Sequence, residues 1–264
     1  MQVISSKEND MIKHIKKLKD KKYRDINNQY IVEGIKLVSE AIQENAKIKQ
    51  IVLCEDCDKT EAIPKELMYE IAKKECIYVT EKVFKFITEV QAPQGILAVI
   101  EKNNQNNEID YNQDLIVAID DVQDPGNLGT ILRTVDSIGL RQILLSKGTA
   151  DVYNPKVVRS TMGAIFRVKI IECEDLEKML KEIKRHKFEI VVSSLQTEST
   201  IYSIDYNKKV IIVGNEANGV EENIQNLADR KIKIPMPGKT ESLNVSVATG
   251  IILYEYVRQK IFNQ

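Results

Sequence analysis

Apolar residues recur along this chain in two rhythms, one near four residues and one near two. Met11, Ile12, Ile15 and Leu18 fall at helical spacing within residues 7–21. Tyr30-Ile31-Val32-Glu33-Gly34 reads as a short strand ending on a glycine, and Ile35, Val38, Ala41 and Ile42 then share one face of a helix over 35–45. Residues 50–53 predict a strand, 64–74 a helix opened by its proline, and 77–79 another strand. A short helix over 82–90 and a strand over 95–100 complete a mixed α/β unit.

Residues 101–108 contain no apolar side chain and are rich in asparagine, which places a linker at 101–113 between domains at 1–100 and 114–264. Beyond it the alternation is regular. Strands are predicted at 115–119, 142–145, 166–171, 189–193, 210–213 and 231–234. Helices are predicted at 128–138, 155–164, 176–185, 221–227 and 245–261, the first of them ended by Gly139. Fully apolar strands alternating with helices indicate a parallel sheet covered on both faces.

Composition adds little to this: 43% hydrophobic and 29% charged residues suit a globular domain. The chain lacks an apolar run of about 18 residues and its first residues lack a signal-peptide core, so a cytoplasmic protein without a membrane span is expected. Charge is more telling in its placement. The net formal charge is −1, yet residues 1–24 carry eight basic side chains (Lys7, Lys13, Lys16, Lys17, Lys19, Lys21, Lys22, Arg24) against Glu8, Asp10 and Asp20. Such a segment is either a solvated helix face or a surface for a polyanion. Cys54 and Cys57 have the gap of a metal knuckle or a redox pair. Cys76, Cys173, His14 and His186 are too scattered to complete a zinc site, so reduced cysteines and no metal are expected.

Candidate chemistry lies in three polar islands at strand ends. The first is Asp124-Pro125-Gly126-Asn127-Leu128-Gly129 with Arg133 following. It matches neither a dinucleotide nor a Walker phosphate loop. It reads as a tight turn in which Asn127 bonds its own backbone, with Arg133 able to hold a phosphate or simply face solvent. The second, Gly214-Asn215-Glu216-Ala217-Asn218-Gly219, either approaches a ligand closely or starts a helix capped by Asn218 or Gly219. The third runs from Ile234-Pro235-Met236-Pro237-Gly238 into Ser242-Leu243-Asn244-Val245-Ser246, and reads as a cleft for a small amphipathic ligand or as a capped helix.

In order and spacing the islands resemble the three motifs of the SpoU (TrmH-type) RNA ribose 2′-O-methyltransferases of the SPOUT superfamily. Asn127-Leu128-Gly129-x-x-x-Arg133 resembles the first, Gly214-Asn215-Glu216-x-x-Gly219 the second, and Ile234-Pro235-Met236 through Ala248 the third. Val32-Glu33-Gly34-x-Lys36-Leu37-Val38-x-Glu40-Ala41 also resembles the family's N-terminal RNA-binding domain, of ribosomal-protein L30e-like fold. The resemblance implies an α/β catalytic domain with a C-terminal trefoil knot, S-adenosylmethionine as methyl donor, and a homodimer.

It further implies that Gly214, Ile234, Met236, Leu243 and Ser246 bind the donor, and that Asn127, Arg133, Glu216, Ser242 and Asn244 serve catalysis and substrate contact. A guanidinium with a pKa above about 12 is a poor base, so Arg133 is expected to grip the phosphate beside the target ribose. The separate N-terminal domain favours 23S ribosomal RNA as substrate. The alternatives are a tRNA 2′-O-methyltransferase and a non-catalytic ribosomal-RNA-binding assembly factor.

Overall fold

The computed structural model describes residues 3–55, 63–102 and 108–262. In chain order the elements are β1 (Val3–Ile4), α1 (Asp10–Lys17), α2 (Lys21–Asn27), β2 (Gln29–Glu33), α3 (Ile35–Gln43), β3 (Ile48–Cys54), α4 (Lys65–Ala72), β4 (Cys76–Val79), α5 (Glu81–Ile87) and β5 (Ile96–Glu101). They continue with β6 (Leu115–Asp120), α6 (Pro125–Ser137), β7 (Gln142–Ser146), α7 (Pro155–Thr161), a 3-10 turn at Ala164–Phe166, β8 (Lys169–Cys173) and α8 (Leu176–Arg185). The last are β9 (Glu189–Ser193), β10 (Lys209–Gly214), α9 (Glu222–Leu227), β11 (Arg230–Ile232) and α10 (Val245–Phe262).

Contacts divide the chain into two compact units. One comprises Met1–Asn104 together with Asp151–Phe166. Its sheet has the order β1-β4-β3-β5-β2, with β5 antiparallel to both β2 and β3. On one face, Ile12 and Ile15 of α1 and Val83, Phe84 and Ile87 of α5 bury against Ile31, Val52, Val79, Leu97 and Val99. The helix predicted over 7–21 is in fact two. Leu18 closes α1, and Asp20 starts α2 by accepting from the Lys22 N–H at 2.9 Å, since a short acidic side chain caps a new helix better than it continues an old one.

The segment Asp151–Phe166 is held in this first unit by a buried ion pair. Arg24 is 2% exposed; its Nη2 and Nε meet the Asp151 carboxylate, and Nη1 donates to the carbonyls of Leu18 at 3.0 Å and Lys19 at 2.6 Å. A guanidinium taken out of water needs such full pairing. Arg24 therefore leaves the basic surface expected of residues 1–24. Cys54 is disulfide-bonded, where a reduced cysteine is expected; Cys57 and residues 103–107 of the expected linker lie outside the described residues.

The other unit, Gln105–Ala150 with Arg167–Gln264, is built on a six-stranded sheet in the order β11-β9-β10-β6-β7-β8, parallel throughout. Its central strands are buried, as a doubly covered parallel sheet requires: every residue of β6 is buried, and every residue of β10 but Gly214. β8 lies three residues later than its expected start, because Ala164–Phe166 forms the 3-10 turn instead. The chain adds β7 and β8 on one side of β6, and β10, β9 and β11 on the other. The carboxyl ends of β6 and β10, where Asp120 pairs with Gly214, are thus the switch point at which open α/β sheets bind ligands. No helix among the described residues is long and apolar enough to cross a membrane.

Candidate active site

All three islands meet at that switch point. The first is the opening turn of α6, not a loop. Asp124 caps the helix by accepting from the Asn127 N–H at 2.9 Å, and Pro125 occupies the first helical position, where its missing N–H costs nothing. Gly126 and Gly129 are therefore helical. Asn127 does not bond its own backbone through its side chain; that side chain reaches across to both other islands.

The Asn127 Nδ2 donates to Glu216 Oε1 at 2.8 Å, and its Oδ1 accepts from Asn244 Nδ2 at 2.9 Å. Asn244 in turn caps α10: its Oδ1 accepts from the Ser246 N–H at 2.9 Å and from the Ser246 hydroxyl at 2.6 Å. One amide thus ties together segments 89 and 117 residues away in sequence. Asn suits this position because its short stem carries donor and acceptor on separate atoms, which can face opposite partners.

The second island is a closed hairpin. Asn215 N–H donates to Gly219 O at 3.0 Å, Gly219 N–H donates back to Asn215 O at 2.9 Å, and Gly219 adopts φ +72 to make the turn. The Asn215 Oδ1 accepts from Ala217 N–H and its Nδ2 donates to Asp121 O, both at 2.9 Å. Asn218 and Gly219 do not cap the next helix; Glu221 stands at that position, without a side-chain cap. Asp120, 2% exposed, holds the far side by accepting from the Glu221 N–H at 2.8 Å, and burial pushes its carboxyl up from the usual range.

Between the second and third islands lies a cleft of about 660 Å³, within the size range of small-ligand sites. Gly214, Glu216, Ile234, Met236, Ser242, Leu243 and Asn244 all line it. Ser246 stands behind the lining, steadying Asn244. Arg133 does not line the cleft: it is exposed on α6 and has no hydrogen bond or ion pair with a described residue. Sequence reasoning missed the wall formed by Ser193, Ser194, Leu195 and Gln196. The signal was there, since β9 ends beside β10, but only the strand order reveals it.

Asn127→Asp keeps the acceptor for Asn244 but sets a carboxylate against Glu216. We expect backbone amide exchange at 215–219 and 244–247 to rise about tenfold, as a lost bond worth about 1.4 kcal/mol dictates. Adding Glu216→Gln reverses donor and acceptor and is expected to restore most of the protection. Unchanged exchange in the single variant would show that the bridge does not order the loops.

Comparison with known proteins agrees with this geometry. A family model of the SpoU rRNA methylase family matches residues 114–254, and one for an MRM3-like substrate binding domain matches residues 9–98. The 23S rRNA (guanosine(2553)-2′-O)-methyltransferase RlmP of Bacillus subtilis is 34% identical over 96% of this chain and 98% of its own. The 23S rRNA (guanosine-2′-O-)-methyltransferase RlmB of Xylella fastidiosa (strain Temecula1) is 31% identical over 88% of this chain and 97% of its own. The AdoMet-bound rRNA methyltransferase from Sinorhizobium meliloti superposes with a TM-score of 0.84 at 30% identity, covering 98% of each chain. The chain belongs to the SpoU rRNA methylase family.

Proposed function

We propose that the chain is an S-adenosylmethionine-dependent methyltransferase acting on a ribose 2′-hydroxyl of 23S ribosomal RNA, working as a knotted homodimer in the cytoplasm. The observation that carries this reading is the Asn127 bridge at the mouth of the cleft, where all three motifs meet.

The lining suits the donor. Backbone groups from Ile234 to Leu243 make no backbone hydrogen bond among the described residues, so they are available to a purine edge and ribose. Met236, Leu243 and Leu195 supply the apolar surface that a thioether chain and a base require. Bound there, S-adenosylmethionine supplies an electrophilic methyl group. Gly214, Ile234, Met236 and Leu243 hold it; Glu216 and Asn127 fix the loops, with Ser246 steadying Asn244. Ser242 and Asn244 face the incoming ribose, and Arg133 binds the adjacent phosphate through its planar fork of donors. Alignment of a hydroxyl with the methyl group is the main demand of such a transfer.

The homodimer is supported by α10, which leaves Val247, Tyr254 and Ile261 exposed at seven-residue steps, followed by exposed Phe262. Such an apolar stripe is suited to a second copy. The function is tested by deleting the gene and mapping 2′-O-methyl marks across ribosomal RNA and tRNA at single-nucleotide resolution. Loss of one 23S mark, restored by the intact gene, is the expected result. Loss of a tRNA mark alone, or of none, refutes the assignment.

A further inference from the structure

We propose that the groove between α1 and α5 grips RNA phosphates independently of sequence, an assignment that rests on the reading of RNA as substrate. The groove, of about 500 Å³, is lined by Lys7, Lys16, Lys82, Lys85, Glu81 and Phe86. Its charges do not cancel. Glu81 is taken by Lys85 at 2.6 Å, which leaves Lys7, Lys16 and Lys82 without an acidic partner among the described residues.

The lysines are also arranged. Lys7 Nζ and Lys16 Nζ sit 5.0 and 4.8 Å from the centroid of the Phe86 ring. Lys16 Nζ donates to Phe86 O at 2.8 Å, and Lys19 Nζ donates to Thr88 O at 2.6 Å. Carbonyl bonds hold the Lys16 and Lys19 ammonium groups close enough for their charges to repel, and cation–π contact draws Lys7 to the same ring as Lys16. Lys19 feels this: burial first, then the charge of Lys16, pushes its ammonium down to about 8, against the opposing pull of Glu89 and Glu33. Lys7, Lys16 and Lys82 line one groove whose acid, Glu81, is already paired with Lys85, and so present the charge pattern that a polyanion neutralises.

The same geometry says how the RNA is held. With two ammonium groups over Phe86, its ring is occupied and is not offered to a base for stacking. The contact is therefore to the backbone, which positions an RNA without reading it. Arg24 and Lys13 take no part, being paired with Asp151 and Glu8.

The test compares Lys7→Ala/Lys16→Ala/Lys82→Ala with a control, Lys65→Ala/Lys73→Ala/Lys74→Ala, which removes three exposed charges from α4 and the turn after it. Binding to in-vitro transcribed 23S rRNA is measured by filter retention across a salt series, and S-adenosylmethionine affinity by calorimetry. For the groove variant we expect at least about tenfold weaker RNA binding. The slope of log K against log salt should be shallower by about two to three. Donor affinity and circular dichroism should match wild type, and the control should bind RNA as wild type does. An unchanged slope, or an equal loss in the control, overturns the groove. Because binding is read directly, the groove stands or falls even if the wild type methylates no 23S rRNA, a result that would refute the proposed reaction instead.

Discussion

An Arg133→Ala variant is expected to bind S-adenosylmethionine with wild-type affinity and to transfer methyl at least about a hundredfold more slowly, the scale of a lost positioning group. The two halves of this expectation come from different observations. Donor affinity is spared because Arg133 is absent from the lining of the cleft. Transfer is lost because this exposed guanidinium, nearly two turns along α6 from the Asn127 bridge, has no partner among the described residues. An arginine held ready by no acid is suited to a phosphate, which it engages through two parallel bonds. Arg133→Lys keeps the charge without the fork and is expected to recover less than a tenth of the lost rate. Single-turnover transfer to 23S rRNA, with calorimetric donor binding alongside, checks both halves. A wild-type single-turnover rate in Arg133→Ala removes the residue from the mechanism.

Much of the fold was legible because burial leaves a periodic trace. The strand at Glu189–Ser193 and the helix at Leu176–Arg185 have the limits that their apolar spacing predicts. Legibility failed where local chemistry outweighs period. Nothing apolar announces that α6 begins at Pro125, three residues before its first buried side chain, Leu128. Asp124 and the proline did carry that signal, as a cap and a first helical residue. β1 is only two residues long and pairs with β4, a contact made across the sheet and invisible in its own sequence.

The candidate site divides in the same way. Its residue types were legible, because Gly, Asn and Ser cluster where strands end. Their relations were not. That Asn127 faces Glu216 and Asn244, rather than its own backbone, depends on the order β10-β6. The Ser193–Gln196 wall and the Asp120 anchor likewise come from neighbouring strands. Asp120 falls just past the predicted strand 115–119, where no apolar period marks it as buried.

Gly214→Ala is expected to lower donor affinity by about a hundredfold while leaving the sheet folded. A Cβ at this position meets Gly219 C and Val220 N at 2.3 Å and Gly219 O at 2.4 Å. All three are backbone atoms and cannot rotate aside as a side chain would. Ordinary contact begins near 3.4 Å, so the 215–219 hairpin must retreat by roughly 1 Å, and a displacement of that size costs on the order of a hundredfold where geometry decides the outcome. The retreat draws Glu216 from Asn127 and strains the Glu221 bond to Asp120, opening the cleft on the side where the donor is held. Overpacking of this kind also costs about 1–3 kcal/mol of stability. Amide exchange at Val117 and Ile212, in the paired centres of β6 and β10, distinguishes local retreat from unfolding. Near-native protection there with donor binding lost is the expected pattern. Calorimetric donor affinity equal to wild type would show that the hairpin yields without consequence, and that the close approach of Gly214 to Gly219 is not what shapes the cleft.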